Sequence, residues 1–437
     1  MPLFFTKEIK SKNNKYIDLD GAGIIYPYVA NKEWNSVYRI EAQIKTAVDF
    51  LALESAAKEM KRKYPYFFSV ISKYKNKYVL KKGYTSNIVF KDTRLCKPFD
   101  IFNGEPLMRI LYTQNTISAE FFHGLTDGHG AQIFFNELLK EYCNIVFSKY
   151  SYDYPKVEVM PKCKEMLKTD DIYSCIYGQG GKSVSRFMSK AYQFDRDEES
   201  VLNSVDITVS SAALKTAAHK YGASITQYLC AVELAAIIKT QKIKDKTVRI
   251  SVPVDIRKYF DFASIRNASL YFLVEIKPNE TKDFNALIAS VKEQFEKNLT
   301  KENMQNLAYS NVKCAKMKAF NILPVNLKKA VLNIGYTSFG ENQFTSTLTN
   351  LGIVKPDIKV QNLVSNIYFV LGKEKTKPLN LTVTTYNERV NIVVSSVIKC
   401  DNFIQTVRDI LAGDGIASAR ENLTAPIKIN TEYNAES

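Results

Sequence analysis

The chain has 437 residues, 46% of them hydrophobic and 12% aromatic, and a formal net charge of +15. That length suits two domains of ~200 residues, each able to bury a core, and the composition excludes disordered and collagen-like chains. The charge fits a solvated basic surface or a polyanionic ligand, coenzyme A and nucleic acid alike, and by itself chooses none of them.

The opening residues, Met1 to Glu8, lack the basic stretch and long apolar run of a signal peptide. From there the first half alternates strand-like and helix-like segments. Val37 to Ile44 reads as a strand and Ala47 to Lys63 as an amphipathic helix ending before Pro65. Phe67–Ile71 and Tyr78–Lys81 follow as strands. Leu107–Thr113, a turn at Gln114-Asn115 and Ile117–Phe122 form a pair of strands that delivers the chain to His123. An apolar pattern then marks a helix from Gly130 to about Phe147. Residues ~150 to ~200 change character: Pro155, Pro161, the Gly178–Gly181 cluster and the acidic run Asp195–Glu199 read as a crossover. Gly181-Lys182-Ser183 is not a phosphate loop, because Ile176 stands where its first glycine would be and no apolar strand precedes it.

The second half begins with a strand at Ser204–Val209. A helix capped by Ser210 or Ser211 runs to His219 with Gly222 as its stop, and another spans Ile225–Lys239. Strands at Thr247–Pro253 and Leu270–Ile276 lead to three helical patterns between Lys282 and Ile334. Strands return at Thr345–Asn350, Val364–Leu371, Leu381–Tyr386 and Val390–Ile398, before a last helix near Asn402–Leu411. The most apolar window, Cys230–Ile238, is broken by Glu233 and too short to span a bilayer, so a cytoplasmic chain with no transmembrane segment is expected. Seven cysteines without a Cys-x-x-Cys pair read as free thiols in a reducing compartment, packed as small core residues. The interleaving predicts an α+β protein with two mixed sheets flanked by helices. The boundaries are 1–165 for the first domain, 166–200 for the linker and 201–437 for the second domain.

Two of the three histidines lie in Phe121-Phe122-His123-Gly124-Leu125-Thr126-Asp127-Gly128-His129-Gly130. Between a strand and a helix, such a segment exposes reactive side chains, and its glycines imply a sharply shaped loop. An imidazole there can act as a general base, with the carboxylate four residues on fixing loop or ring geometry. A glycine-rich turn whose polar groups merely satisfy the backbone is the plain alternative. A metal site of His123, Asp127 and His129 is the weaker one, since the glycines spoil a rigid platform. His129 reads as capping or packing at the start of the next helix, and His219 as a surface or helix-end residue.

His123-Gly-Leu-Thr-Asp127-Gly128 resembles the His-x-x-x-Asp-Gly signature of chloramphenicol acetyltransferases, condensation domains, plant-type acyltransferases and alcohol acetyltransferases. Val252-Pro253-Val254-Asp255-Ile256-Arg257 resembles the second-domain strand ending in arginine. Thr347-Leu348-Thr349-Asn350-Leu351-Gly352 resembles the Ser-Asn-Leu-Gly strand of that superfamily. The resemblance implies two chloramphenicol-acetyltransferase-like domains with the active-site tunnel between them, and His123 as base for direct attack on a thioester. Asp127 would pair with Arg257 as a brace, and Gly128 and Asn350 would shape the loop and strand. Thr349, or Thr347 on the same strand face, would donate to the oxyanion. The implied co-substrate is acyl-coenzyme A or an acyl carrier protein, with a small hydroxyl or amine acceptor, no tightly bound cofactor and no metal. Phe122 replaces the first histidine of the condensation-type pair, and the plant-type Asp-Phe-Gly-Trp-Gly motif is absent, which favours an O- or N-acyltransferase. The rivals are a condensation-type enzyme and a non-catalytic binding protein on the same fold. Lys73-Tyr74-Lys75-Asn76-Lys77-Tyr78 gives nucleic-acid binding slight support, but no groove-reading motif accompanies it, and no nucleic-acid partner is expected.

Overall fold

The computed structural model describes residues 15–84, 86–149, 170–184, 188–195, 201–281, 283–316, 322–374 and 376–423. Pro155 and Pro161 of the crossover lie outside them. The strands, in chain order, are β1 Tyr16–Asp18, β2 Val37–Ile44, β3 Ser69–Tyr74, β4 Lys77–Lys82, β5 Val89–Lys91, β6 Met108–Tyr112, β7 Thr116–Phe122, β8 Asn203–Ser210, β9 Val248–Asp255, β10 Ser269–Ile276, β11 Ser346–Ile353, β12 Val364–Leu371, β13 Leu379–Tyr386, β14 Arg389–Ser396 and β15 Ser418–Asn422. They form a five-stranded sheet ordered β12-β2-β7-β6-β5, a seven-stranded sheet ordered β10-β9-β11-β13-β14-β8-β15, and a small sheet ordered β1-β4-β3. Both large sheets are mixed. β5 runs parallel to β6, and β11 parallel to β9 and β13, while the remaining pairs are antiparallel.

Local sequence explains the elements. Helix Phe50–Lys63 starts where the Asp49 carboxylate accepts from Ala52 N, and it buries Leu53, Ala56, Ala57 and Met60 at helical spacing. Helix Ile225–Thr240 opens with a capping box of Ser224 and Gln227. Its apolar residues pack nearly all round into the second of two cores, one under each large sheet. Among the described residues no single helix is long and apolar enough to cross a membrane. Cys96, Cys143 and Cys230 are buried, as expected for small core residues, whereas Cys175 is exposed, so that reading is corrected there.

The two sheets are tied together by one strand. β12 comes from late in the chain yet pairs antiparallel with β2, from Val364 opposite Ile44 to Leu371 opposite Tyr38. Its carbonyls then face the other sheet: Thr384 Oγ1 donates to Ile367 O at 3.0 Å, and Thr382 Oγ1 donates to Phe369 O. Side-chain hydroxyls of β13 thus satisfy groups that an exposed edge strand would leave to water or to another chain.

Candidate active site

β7 runs antiparallel to β2 with Phe122 opposite Val37, which brings His123 to the end of the strand, where its amide donates to Ser36 O at 2.8 Å. The loop after it is pinned at successive carbonyls. Tyr66 Oη donates to Leu125 O (2.6 Å) and Tyr38 Oη to Thr126 O (2.9 Å), while Thr126 Oγ1 donates to Ile265 O (2.6 Å). Asp127, not His129, caps helix Gly128–Lys149: its Oδ1 accepts from Gly130 N at 3.0 Å. His129 packs on the first turn, with Nδ1 3.9 Å from Asp255 Oδ2, and His219 is exposed in the last turn of its helix.

The loop glycines act differently from expectation. None of Gly124, Gly128 and Gly130 has a positive φ. Close approach of another segment accounts for two of them instead. A Cβ on Gly128 would stand 2.6 Å from Leu351 of β11, and one on Gly130 would stand 2.2 Å from Ile265 O and Thr126 Oγ1. The motif loop therefore presses directly on the second half of the chain.

Asp127 and Arg257 meet across that contact. Arg257 Nη1 donates to Asp127 Oδ2 and Nη2 to Oδ1, each at 3.0 Å, and Ala268 N donates to Oδ2 at 2.7 Å. The rest of the guanidinium donates to Ser264 O, Asp255 Oδ1 and Arg266 O. Both partners are buried. Burial alone would raise the Asp127 pKa; the Arg257 charge and hydrogen bonds, with the Gly130 and Ala268 amides, outweigh it and hold the carboxyl below its usual range. The carboxylate fixes the loop and makes no hydrogen bond to the imidazole.

The imidazole has other neighbours. His123 stacks on Tyr26 with centroids 4.7 Å apart and planes 14° apart, and Tyr38 meets it edge-on. Its Nδ1 lies 3.1 Å from Asn267 Oδ1. Burial pushes its pKa below the ordinary imidazole value, against the opposing pull of a hydrogen bond to its own backbone, the Asp127 charge and Asn267. The shift favours the unprotonated ring at neutral pH. Phe122 is fully buried beneath, edge-on to Tyr26.

His123 opens into a cavity of about 190 Å³. One wall is Tyr26, Ser36, Val37, Tyr38 and residues 371–374. The other is Ser251 and Pro253 of β9, Ser269 and Tyr271 of β10, and Thr347 and Thr349 of β11, with Tyr336, Gly340 and Phe344 completing it. Alternation along β11 puts both threonines toward this space. Asn350 faces elsewhere: it donates to Thr226 Oγ1 (2.9 Å) and accepts from Gly352 N (2.7 Å), holding the irregular step where β11 shifts register against β13. Tyr26, Tyr38, Asn267 and Asp20 behind it carry no local sequence signal and were not among the expected residues.

No protein-family model matches the sequence, and no curated protein matches it either. Solved structures do. The trichothecene 15-O-acetyltransferase from Fusarium sporotrichioides superposes with a TM-score of 0.63 at 13% identity, covering 93% of this chain and 97% of that one. F. graminearum TRI101 complexed with coenzyme A and T-2 mycotoxin gives 0.62 at 12% identity over 89% and 96%. The first condensation domain of the calcium-dependent antibiotic synthetase gives 0.60 at 12% identity over 92% and 96%. The fold is the one that these acetyltransferases and this condensation domain share. Acetyltransferases and a condensation domain match it about equally well, so the fold alone does not separate the two chemistries.

Proposed function

We propose that the chain is an acyltransferase that moves an acyl group from a coenzyme A thioester to a hydroxyl or amine. One observation carries this reading: one cavity is lined by His123, at the end of β7 and with its pKa held down by burial, and by Thr347 and Thr349 of β11 in the other large sheet. In the proposed reaction His123 Nε2 takes the acceptor's proton as the acceptor atom attacks the thioester carbonyl carbon. The negative charge that develops on the carbonyl oxygen is met by a threonine hydroxyl, Thr349 by its place in the motif. The intermediate collapses, the carbon–sulfur bond breaks, and the imidazolium returns its proton to the leaving thiolate. Asp127 and Arg257 take no proton and keep the loop seated.

The coenzyme A donor is supported by the fold shared with a protein solved with coenzyme A and T-2 mycotoxin, and by a net charge of +15 that attracts a polyanion. The lining of Tyr26, Tyr38, Tyr271, Tyr336, Phe344 and Leu371 suits an acceptor held largely by apolar contact. The condensation-type reading, with a carrier-protein donor, keeps the support of its fold neighbour but meets buried Phe122 where the adjacent histidine would stand. The test is release of free coenzyme A from acetyl- to long-chain thioesters in the presence of alcohols and amines. Acceptor-dependent release supports the reading; turnover only with carrier-bound thioesters transfers it to the condensation type, and no turnover with either sinks it.

A further inference from the structure

Against His123 Nδ1, and outside the residues that line the cavity, lies a short chain of buried polar groups that the reaction above does not use. Asn267 is fully buried, and its side-chain amide has two distinguishable ends. Its Nδ2 donates to Asp20 Oδ2 at 3.1 Å, and its backbone amide points to the same oxygen at 3.3 Å. Asp20 is itself 1% exposed, accepts from Gly23 N through Oδ1, and has the Arg266 guanidinium 3.5 Å from Oδ2. Burial pushes the Asp20 pKa up to about 6, against the pull of the Arg266 charge and the Gly23 and Asn267 hydrogen bonds, so at neutral pH it is an ionised carboxylate. Such a group only accepts, and it dictates which end of the Asn267 amide turns toward it. The other end, carbonyl Oδ1, is thereby aimed at His123 Nδ1. A carbonyl oxygen cannot donate. The pair is satisfied only when Nδ1 carries the hydrogen.

We propose that Asp20 and Asn267 are positioning residues that hold His123 as its Nδ1–H tautomer, leaving the Nε2 lone pair free. The segment that carries Asp20 is fitted to the motif loop at two further points. A Cβ on Gly23 would stand 2.9 Å from Gly124 O and 3.2 Å from Asn267 Nδ2, and Tyr26, three residues on, stacks on the imidazole. The residues from 20 to 26 thus fix both the plane of the ring and, through Asn267, its proton. The hydrogen bond to the ring's own backbone favours the same tautomer, so Asn267 reinforces a preference rather than creating it. Use of that lone pair in turnover rests on the acyltransferase reading; the tautomer itself does not.

The experiment is ¹⁵N NMR of the full chain labelled at histidine, in which only three imidazoles contribute. His123 is assigned by the signals lost in His123→Gln. In the wild type the neutral ring is expected to show a protonated Nδ1 and a bare Nε2; a bare Nδ1 overturns the proposal without any variant having to fold. Asn267→Leu removes the acceptor at similar volume. It is expected to give mixed tautomers, a lower His123 pKa and a kcat reduced about 10- to 10²-fold with KM nearly unchanged, short of the ~10⁴-fold loss seen where a catalytic triad takes the wrong tautomer. Asn267→Asp keeps an acceptor beside Nδ1 and is expected to retain the tautomer while raising the His123 pKa. A tautomer unmoved by Asn267→Leu overturns the role of Asn267. Failure to find any acyl transfer leaves the NMR result to stand or fall on its own.

Discussion

Among the buried arginine–carboxylate systems of the described residues, two do different work. Arg257 grips Asp127 with a two-pronged fork across the seam between the halves of the chain. Within the five-stranded sheet, Glu120 of β7 sits between Arg39 of β2 and Arg109 of β6, its direct cross-strand neighbours, accepting from Arg39 Nε at 2.9 Å and Arg109 Nε at 2.8 Å. Glu120 also accepts from Cys96 N, and Arg39 reaches Glu41 and Asp92. The sheet cluster joins strands already paired by backbone hydrogen bonds, so it secures register. The fork joins segments that meet through side chains and loop contacts, so it secures the position of the motif loop. Similar chemistry gives stability in one place and geometry in the other.

Breaking each system should expose that difference. Arg257→Ala and Asp127→Asn each remove one partner of a buried pair and should cost about 3–5 kcal/mol in stability. In a double-mutant cycle the losses should be strongly non-additive, and turnover should fall in both variants while they are folded. Glu120→Gln should lower the unfolding midpoint by a comparable amount yet leave the turnover of the folded fraction within a few-fold of wild type. Additive losses for Asp127 and Arg257, or equal loss of turnover from Glu120→Gln, would erase the distinction.

The facing strand offers a second break. Thr349→Val keeps the side-chain shape and removes the hydroxyl; it should lower kcat about 10²-fold with little change in KM, while Thr349→Ser keeps most activity. Should Thr347→Val carry that loss instead, the donor moves two residues along β11. Activity unchanged in both variants would assign the oxyanion to a backbone amide or a water.

The smallest effect is one of pH, and it contrasts Asp127 with another buried acid, Glu233. Ser346 Oγ lies 2.6 Å from Glu233 Oε1 and 2.9 Å from Leu379 O, but a hydroxyl has one hydrogen. Giving it to the Leu379 carbonyl requires Glu233 to be the protonated partner, in keeping with burial, which pushes its pKa up to about 8. Between the ordinary value of 4.5 and about 8 the folded chain holds a proton that the unfolded chain has released, so Glu233 makes stability fall as pH rises through that range. Asp127 has the opposite sign: its depressed pKa gives stability that is lost only as pH drops below about 3.8. Unfolding midpoints measured from pH 5 to 8 should therefore decline less steeply in Glu233→Gln than in wild type; an identical slope would show that Glu233 is ionised in the fold.

Much of this arrangement was legible in the sequence because it is local. β2 and β12 have the boundaries that their apolar patterns suggest, helix 211–220 begins at Ser210, one of the two serines read as its cap, and helix 225–240 begins at Ile225 as its pattern suggests. Strands β1, β5 and β15 escaped notice, the first two being three residues long and the last the polar edge segment Ser-Ala-Arg-Glu-Asn. The pairing of β12 with β2 depends on residues more than 300 positions apart, which no local pattern encodes. The site divides in the same way. His123 and Asp127 stand within one motif, whereas Asn267 and Asp20 are an ordinary asparagine and an ordinary aspartate until the fold places them behind the imidazole. Gly128 and Gly130 were read as conformational and proved to be steric, because Leu351 and Ile265 come from another part of the chain and are invisible to a local reading.

The central claim is that His123 is the base, and the most direct measurement is turnover of His123→Ala with a thioester and acceptor pair that the wild type uses, alongside its unfolding curve. The expected result is turnover lower by ~10²–10⁴-fold in a protein that remains folded. Near-wild-type turnover in that folded variant would contradict it.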